Sequence, residues 1–296
     1  MNITVIGSGT MGNGIAHVFA QNNFKVNVVD VKKEALDKAK ITITKNLDRQ
    51  MAKGAIDEVA KASTMNNLNF VDNLFDGAKD ADLVIEAATE NVAIKLEIFR
   101  NLDSLCKPSC ILASNTSSIP ITKIASVTNR PGQVIGMHFM NPVPVMKLVE
   151  IIKGFKTSQE VADKIVLLAR QIGKVPAVSE DMPGFISNRI LMPMINEAIE
   201  TLFQGIGGVE EIDTVMKLGM AHPMGPLQLA DFIGLDVCLA ICNVLYDGFG
   251  NPKYAPCPLL VNMVTSGSLG VKSGSGFYDY SSGTKELVVA SQFKKQ

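Results

Sequence analysis

The stretch that decides the fold lies at the beginning of the chain and reads Ile3-Thr-Val-Ile-Gly7-Ser-Gly9-Thr-Met-Gly12-Asn-Gly-Ile-Ala. A β-branched run ends at the first of three spaced glycines, and a helical pattern begins after the third. Glycine at these positions permits a tight turn, a close approach of backbone to phosphate, and close packing of helix on sheet. The free N–H groups and the dipole at the start of such a helix attract anions. The stretch therefore predicts a strand, a phosphate-binding loop and a helix.

A second apolar strand, Val26-Asn-Val-Val-Asp30, ends in an acid 18 residues after Gly12. A carboxylate at this place binds the hydroxyls of an adenine ribose and repels a 2′-phosphate. We therefore predict a dinucleotide site that takes NAD(H) in preference to NADP(H), although Lys32 and Lys33 weaken that preference. The predicted cofactor contacts are Gly7, Ser8, Gly9, Thr10, Met11, Gly12 and Asp30.

The first part of the chain alternates β-branched runs with helical patterns, which is typical of a parallel sheet covered by helices. Strands are predicted at 2–6, 25–30, 68–70, 82–86, 109–113, 133–138, 147–152 and 174–178. For the later strands, both a parallel and an antiparallel direction stay open. After Asp181-Met-Pro-Gly184 the periodicity becomes helical, at 186–203, 209–218, 227–230, 235–245 and 259–264. We predict an α/β fold with a Rossmann-type doubly wound domain at residues 1–183 and an all-α domain at residues 184–296.

The segment between Asp30 and Leu68 is rich in Lys, Ala, Glu and Leu, and Gly54 interrupts it. It is too long for an ordinary crossover helix, so we predict an inserted helical hairpin that projects from the sheet. Two interpretations stay open. The hairpin is either a solvated helix pair without a ligand role, or a basic cover for a second, phosphate-bearing ligand.

The overall charge favours a small ligand. The chain has 28 basic and 29 acidic residues, so we expect no binding to nucleic acid or to a membrane.

The five cysteines of the chain form no CxxC pair, which indicates core packing in a reducing compartment, and we predict no metal. The first strand begins almost at Met1, and no apolar stretch reaches the roughly 20 residues of a membrane span. A cytoplasmic location is therefore expected.

Three histidines are candidates for proton transfer. His17 lies among apolar residues of the first helix, where packing explains it, and His222 lies in a loop-like segment without an obvious partner. His138 ends a strand at the sheet edge where α/β proteins bind ligands, and it is the best candidate. Glu150 lies on the next apolar run. Spacing alone favours a surface position for this acid, and a carboxylate–imidazole pair on neighbouring strands is the alternative.

Five further motifs accompany the glycine loop: Glu86-Ala-Ala-Thr-Glu90-Asn, Ser114-Asn-Thr-Ser117-Ser, His138-Phe-Met-Asn141-Pro-Val-Pro-Val-Met-Lys-Leu-Val-Glu150, Asp181-Met-Pro-Gly-Phe-Ile-Ser-Asn188-Arg and Gly274-Ser-Gly-Phe-Tyr278. Together they resemble the 3-hydroxyacyl-CoA dehydrogenases from end to end, particularly the short 3-hydroxybutyryl-CoA type. The resemblance implies reversible hydride transfer between C3 of a short (S)-3-hydroxyacyl-CoA and NAD(H). It also implies a helical C-terminal domain that contacts substrate and forms a homodimer.

The resemblance assigns roles residue by residue. His138 would be the general acid and base with Glu150 as its orienting partner, and Ser117 and Asn188 would hold the reacting oxygen of the substrate. Lys53 would bind a CoA phosphate, and Asn46 stands where some relatives carry a hydroxyl contact to CoA. The further cofactor contacts that it implies are Glu90, Lys95, Ser117, Asn141 and Lys272.

Two other functions are kept beside this one. The same fold would suit a dehydrogenase of a free hydroxy acid or sugar acid, such as gulonate, and activity with and without the CoA portion separates the two. A relative that binds NAD without turnover is the second alternative, because fold alone does not establish activity. Against it stands the complete set Ser117, His138, Glu150 and Asn188.

Overall fold

The computed structural model describes residues 1–283 and 286–294. Its contacts divide the chain into two compact units, Met1–Met182 and Pro183–Gln296. The division falls one residue before the domain boundary predicted from the sequence, so that Pro183 belongs to the second unit.

The first unit is built on an eight-stranded sheet with the order β3-β2-β1-β4-β5-β6-β7-β8. Strands β1 to β6 run parallel, whereas β7 is antiparallel to β6 and parallel to β8. The predicted doubly wound sheet is thus confirmed, and the direction changes between β6 and β7. The strands are β1 (Asn2–Ile6), β2 (Lys25–Val29), β3 (Leu68–Val71), β4 (Leu83–Glu86), β5 (Ile111–Ser114), β6 (Val134–Phe139), β7 (Leu148–Lys153) and β8 (Val175–Glu180).

The central strands have both faces covered. Four consecutive residues of β1, from Ile3 to Ile6, are buried, and all four residues of β4 are buried as well. Since alternate side chains point to opposite faces, helices must cover both sides of the sheet. The strand order reverses between β1 and β4, which places the ligand crevice of such sheets at their carboxyl ends. The covering helices are α1 (Thr10–Gln21), α4 (Leu74–Ala78), α5 (Val92–Leu105), α6 (Ile121–Ala125) and α7 (Gln159–Gln171).

The expected helical hairpin is formed by α2 (Lys33–Ala52) and α3 (Glu58–Asn66). The buried residues of α2 are Leu36, Ala39, Ile43 and Leu47, which recur every three or four positions and form one apolar face. Both helices contact α1. The hairpin therefore packs against the domain through this face, and the polar face of α2 stays outside.

The second unit contains five α-helices among its described residues. Helix α9 (Val209–Thr214) continues into a π-helical turn at Val215–Gly219. A short antiparallel pair, β9 (Tyr278–Asp279) with β10 (Val288–Val289), accompanies the helices and was not predicted from the sequence. The helices are α8 (Ser187–Phe203), α9 (Val209–Thr214), α10 (Pro226–Ile233), α11 (Leu235–Phe249) and α12 (Pro258–Thr265).

Two buried aspartates hold the C-terminal segment of this unit in place. Asp213 accepts hydrogen bonds from the backbone of Leu227 at 2.9 Å, at the start of α10, and from the Tyr278 hydroxyl at 2.8 Å. Asp231 accepts from the backbone of Phe277 at 3.0 Å and of Tyr278 at 2.9 Å. Burial raises the pKa of Asp231 to about 6. The segment after α12 is thereby joined to α9 and α10.

In the described part of the chain, no single helix has both the length and the apolar character of a membrane span. One sharply bent pair, Pro226–Ile233 followed by Leu235–Phe249, meets the criteria by length and composition only.

Candidate active site

The glycine loop between β1 and α1 has the shape that a dinucleotide requires. Gly7 has a positive φ of 92°, and a Cβ added there would lie 2.5 Å from the Cα of Ala88. A Cβ on Gly12 would lie 1.8 Å from the carbonyl oxygen of Gly7. At Gly9, by contrast, an added Cβ would meet nothing within 4 Å. Gly7 and Gly12 are therefore needed for packing, and the space in front of Gly9 is open to a diphosphate at the start of α1.

Asp30 follows the last residue of β2 and is tied to this loop. Its Oδ2 accepts hydrogen bonds from the backbone N–H of Ser8 at 2.9 Å and from the Ser8 hydroxyl at 2.8 Å. Its Oδ1 accepts from the backbone of Lys32 at 3.1 Å. The carboxylate is therefore held beside the glycine loop, as a contact to ribose hydroxyls requires. The arrangement fits NAD(H).

A cavity of about 400 Å³ lies between the glycine loop, helix α2 and the segment that follows β6. It brings together Gly9 of the glycine loop, Asn46 of the inserted hairpin and Asn141 of the segment after β6. Sequence reasoning missed two further polar residues of α2 that line the cavity, Lys38 and Thr42. Their spacing with Asn46 was an available signal, since residues four apart share one helix face.

Lys53 does not line this cavity. It is exposed and caps the C-terminus of α2, seven residues beyond Asn46. At a rise of about 1.5 Å per residue, that separation is roughly 10 Å along the helix. Lys53 and Asn46 therefore lie at different points along α2, and of the two only Asn46 lines the cavity beside the glycine loop.

His138 and Glu150 form a hydrogen-bonded pair. The antiparallel register of β6 and β7 sets the two residues opposite each other. Nδ1 of His138 lies 2.8 Å from Oε2 of Glu150, and Glu150 is only 1% exposed. The surface position that spacing alone favoured for Glu150 is therefore wrong. A carboxylate at Nδ1 favours the tautomer that carries its proton on that nitrogen.

Ser117 is held by Glu90 in the loop that follows β5. One carboxylate oxygen of Glu90 accepts from both the backbone N–H and the hydroxyl of Ser117, at 2.7 and 2.8 Å. The other oxygen accepts from the hydroxyl of Thr116 at 2.8 Å. The position of Ser117 thus depends on the acid that the sequence analysis named as a cofactor contact.

Lys95 lies on α5 and is 1% exposed. Its ammonium forms an ion pair with Glu86, the last residue of β4, and lies 3.9 Å from Oε2 of Glu90. Glu86 also accepts from the Ser114 hydroxyl at 2.9 Å. The resemblance implies a cofactor contact for Lys95, and in the structure its ammonium is enclosed by these side chains. Sequence reasoning did not assign a role to Glu86.

The two remaining candidates belong to the second unit. Asn188 is the second residue of α8 and is buried. Lys272 follows α12 and forms an ion pair with Asp236 in the first turn of α11. Both ion-pair side chains are a little less than half exposed.

Residues 1–283 and 286–294 contain no group of three or more His, Cys, Asp or Glu side chains that could hold a metal ion. The five cysteines are buried free thiols. Burial raises the pKa of Cys238 to about 12 and that of Cys242 to about 11. Neither thiol therefore forms a thiolate readily.

Comparison with known proteins gives consistent matches over both units. A family model described as 3-hydroxyacyl-CoA dehydrogenase, NAD binding domain, matches residues 2–182, and the C-terminal domain model of 3-hydroxyacyl-CoA dehydrogenase matches residues 184–280. A relative in Bacillus subtilis (strain 168), named probable 3-hydroxybutyryl-CoA dehydrogenase, is 55% identical over 278 residues, which are 94% of this chain and 96% of the relative.

A second relative and a solved structure agree with these matches. The 3-hydroxybutyryl-CoA dehydrogenase of Clostridioides difficile is 50% identical over 280 residues, which are 95% of this chain and 99% of the relative. The crystal structure of (S)-3-hydroxybutyryl-CoA dehydrogenase from Ralstonia eutropha superposes with a TM-score of 0.93 at 47% identity. That match covers 94% of this chain and 98% of the other.

Proposed function

Because the chain belongs to the 3-hydroxyacyl-CoA dehydrogenase family, and is therefore an NAD-dependent oxidoreductase, we propose that it interconverts (S)-3-hydroxybutyryl-CoA and acetoacetyl-CoA. The observation that carries this proposal is the pair of His138 with the buried Glu150, 2.8 Å apart on neighbouring strands. Relatives named for the four-carbon substrate, at 50–55% identity, support the short acyl chain.

Proton transfer is assigned to His138. In the oxidative direction its Nε2 removes the proton of the 3-hydroxyl group, and in the reductive direction it returns that proton. Glu150 keeps the ring in the correct tautomer and stabilises the imidazolium that forms, because it is an acid held at Nδ1. When bound, NAD(H) accepts or supplies the hydride at C3.

The substrate oxygen needs hydrogen-bond donors as charge develops on it. We assign this role to the hydroxyl of Ser117 and the amide of Asn188, as the family resemblance implies. Ser117 lies in the loop after β5 and is oriented by Glu90. Asn188 is an amide near the start of α8. Donors on short side chains lose little conformational entropy when they bind.

CoA is proposed to lie along helix α2. Asn46 lines the cavity beside the glycine loop, together with Lys38 and Thr42, and Lys53 lies two helical turns further on. Of the two interpretations of the hairpin, this proposal takes the one with a ligand role. Basic side chains at Lys38 and Lys53 suit the phosphates of CoA.

The decisive test is the initial rate of NADH oxidation with acetoacetyl-CoA, for the protein and its His138→Ala variant. Rapid turnover that requires both NADH and the CoA portion, and that collapses in the variant, is expected. Controls replace acetoacetyl-CoA by free acetoacetate and NADH by NADPH. Equal turnover of free acetoacetate would favour a dehydrogenase of free hydroxy acids or sugar acids. Complete inactivity of a folded protein that still binds NADH would favour the non-catalytic alternative.

A homodimer through the second unit is part of the proposal. Ile206 is 73% and Val215 58% exposed, and both line an apolar cavity of about 470 Å³. Leu218, in the π-helical turn, is 82% exposed. Exposed apolar groups this close together mark association surfaces, and a two-fold dimer would cover them on both copies. Sedimentation equilibrium of the protein and of Ile206→Glu tests this, with a monomer expected for the variant.

The cytoplasmic location expected from the sequence is also a proposal. Its support is the five buried free thiols, which suit a reducing compartment. Fractionation of the source cells followed by immunodetection tests it. Recovery in a membrane or secreted fraction would refute it.

A further inference from the structure

The connection between β6 and β7, residues 140–147, joins the strand of His138 to the strand of Glu150. Its first half, from Asn141 to Pro144, lines the cavity opposite the glycine loop. Its second half is a turn in which the backbone N–H groups of Val145 and Met146 donate to the carbonyl of Pro142. The course of this connection therefore decides where Asn141 lies relative to a bound dinucleotide.

Lys174 lies just before β8, and its side chain contacts the backbone of the β6–β7 connection. The residue is 7% exposed. Its ammonium donates to the carbonyl of Val143 and, at 2.7 Å, to that of Met146. Burial lowers the pKa of the ammonium. Lysine is almost never this buried unless its charge is satisfied, and here two carbonyls of one connection accept from it.

Two further contacts hold the β6–β7 connection in place. The backbone N–H of Val175 donates to the carbonyl of Lys147 at 2.8 Å, which fixes the end of the connection. Val143 is buried against α1, where a Cβ added to Gly14 would lie 2.9 Å from the Cβ of Val143. The connection is thus packed on one side and hydrogen-bonded by Lys174 on the other.

We infer that Lys174 is a positioning residue of the dinucleotide site, which acts by holding Asn141 opposite the glycine loop. The inference rests on the proposed function, because it takes the side of the cavity at the glycine loop to hold NAD(H) and the side at α2 to hold CoA. The His138–Glu150 pair is fixed independently by the register of β6 and β7. Loss of the ammonium therefore weakens cofactor binding more than it slows proton transfer.

The first experiment compares Lys174→Met with Lys164→Met. Lys164 lies on the exposed face of α7, where its pair with Glu160 is solvent-exposed and contributes little. NADH affinity is measured by titration of its fluorescence, and kcat is measured at saturating NADH. We expect Lys174→Met to bind NADH about tenfold more weakly with kcat within about threefold of the parent. Lys164→Met is expected to match the parent in both. An NADH affinity of Lys174→Met within twofold of the parent would overturn the inference.

A double-mutant cycle with Asn141→Ala separates positioning from a general loss of stability. If Lys174 acts through Asn141, the Asn141→Ala substitution costs less NADH affinity in the Lys174→Met background than in the parent. Additive losses would refute the inference. Should Lys174→Met fail to fold by circular dichroism, Lys174→Gln takes its place, since its amide can still donate to one carbonyl but lacks the charge and the length to hold both. The Gln variant must then also bind NADH more weakly than the parent.

The outcome is distinguishable from a failure of the proposed function. A parent protein that binds NADH but does not reduce acetoacetyl-CoA would refute the proposed substrate and leave the role of Lys174 testable by the same titration. An active parent with unchanged NADH affinity in Lys174→Met would refute the role of Lys174 alone.

Discussion

One oxygen of Glu90 accepts two hydrogen bonds from Ser117, from its backbone N–H at 2.7 Å and from its hydroxyl at 2.8 Å. The Ser117 hydroxyl therefore points at a carboxylate about half exposed to solvent. To donate to a substrate oxygen, that hydroxyl has to turn from the acid while the backbone hydrogen bond keeps the loop in place. Glu90 accordingly combines two effects on Ser117, anchoring its backbone and competing for its hydroxyl.

Two substitutions of Glu90 distinguish the anchoring of the Ser117 backbone from the competition for its hydroxyl. Glu90→Gln keeps an oxygen that accepts from the backbone of Ser117 but removes the charge, so we expect kcat/KM to change by less than about fivefold. Glu90→Ala removes the acceptor altogether, and a loss of about 10- to 100-fold, equivalent to roughly 1.4–2.7 kcal/mol, is expected. Steady-state kinetics with acetoacetyl-CoA checks both variants. Similar losses in the two would contradict an anchoring role for the acceptor oxygen.

Glu150→Gln tests the orienting role of the buried acid. The amide is nearly isosteric and fits the same buried position, but it lacks the charge that stabilises an imidazolium at His138. We expect kcat to fall by about 10- to 100-fold, compared with about 10²- to 10⁴-fold for His138→Ala. Glu180→Gln, an exposed acid at the end of β8, is the matched control and should retain full activity. A Glu150→Gln enzyme with parental kcat would remove the acid from the mechanism.

The sheet was predictable because most of its strands are short runs dominated by apolar and β-branched residues. The predicted strand at 25–30 and the observed β2 at Lys25–Val29, for example, differ by one residue. The pair of β9 and β10 was not predictable, since two residues per strand are too few to show a period of two. Its position depends on Asp231, which accepts from the backbone of the segment through a contact distant in sequence.

In the candidate site, too, features with a local sequence signal were predicted and features that depend on tertiary contacts were not. The glycine loop and Asp30 are local signals, and the family resemblance that was stated from the motifs is confirmed by matches over both units. The buried charges were beyond sequence reasoning, because lysine and glutamate are by default solvated residues. Lys95 is enclosed by Glu86, and Lys174 by two carbonyls of the β6–β7 connection. Only tertiary contacts show that these charges are buried and where they are satisfied.

Asp30 is expected to control the choice between NADH and NADPH. Replacement by alanine removes the charge that repels a 2′-phosphate, so the ratio of kcat/KM for NADH to that for NADPH should fall by at least about tenfold. The absolute rate with NADH should fall as well, because Ser8 loses both hydrogen bonds to the carboxylate. Initial rates with each cofactor provide the measurement, and Asp37→Ala, an exposed acid on α2, is the control. An unchanged ratio would exclude Asp30 from cofactor selection.

His17 is expected to make the protein less stable in mild acid. The residue is fully buried in α1, and burial lowers its pKa from 6.5 to about 4, with a further lowering from the nearby Lys174 ammonium. The folded state therefore binds fewer protons than the unfolded chain, so stability is complete above about pH 6.5 and is lost as the pH falls toward 4. The loss between pH 7 and pH 5 should be on the order of 2 kcal/mol.

His17→Gln removes this titration while keeping an acceptor near Nε2, which lies 3.4 Å from the side-chain nitrogen of Gln50. Chemical unfolding of parent and variant at pH 7 and pH 5 provides the measurement. The parent should lose more stability between the two pH values than the variant does. Parallel losses would show that His17 is not the group responsible.

Asp231, in contrast to His17, is expected to make the protein less stable as the pH rises. Its pKa is raised by burial from 3.8 to about 6, so the folded state binds more protons than the unfolded chain between these values. The stability that this group contributes is complete below about pH 3.8 and is lost as the pH rises through 6. Raising the pH from 5 to 7 should cost about 1 kcal/mol at this site.

The Asp231 contribution is isolated by comparison with Asp231→Asn, because both proteins retain His17. The variant should be less stable at every pH, since an amide cannot accept all the hydrogen bonds from Phe277, Tyr278 and Tyr280. The stability difference between parent and variant should shrink from pH 5 to pH 7. Asp279→Asn, an exposed acid of β9, should show no such trend relative to the parent. A parent–variant difference that stays constant from pH 5 to pH 7 would mean that Asp231 does not titrate in this range, and that its hydrogen bonds compensate fully for its burial.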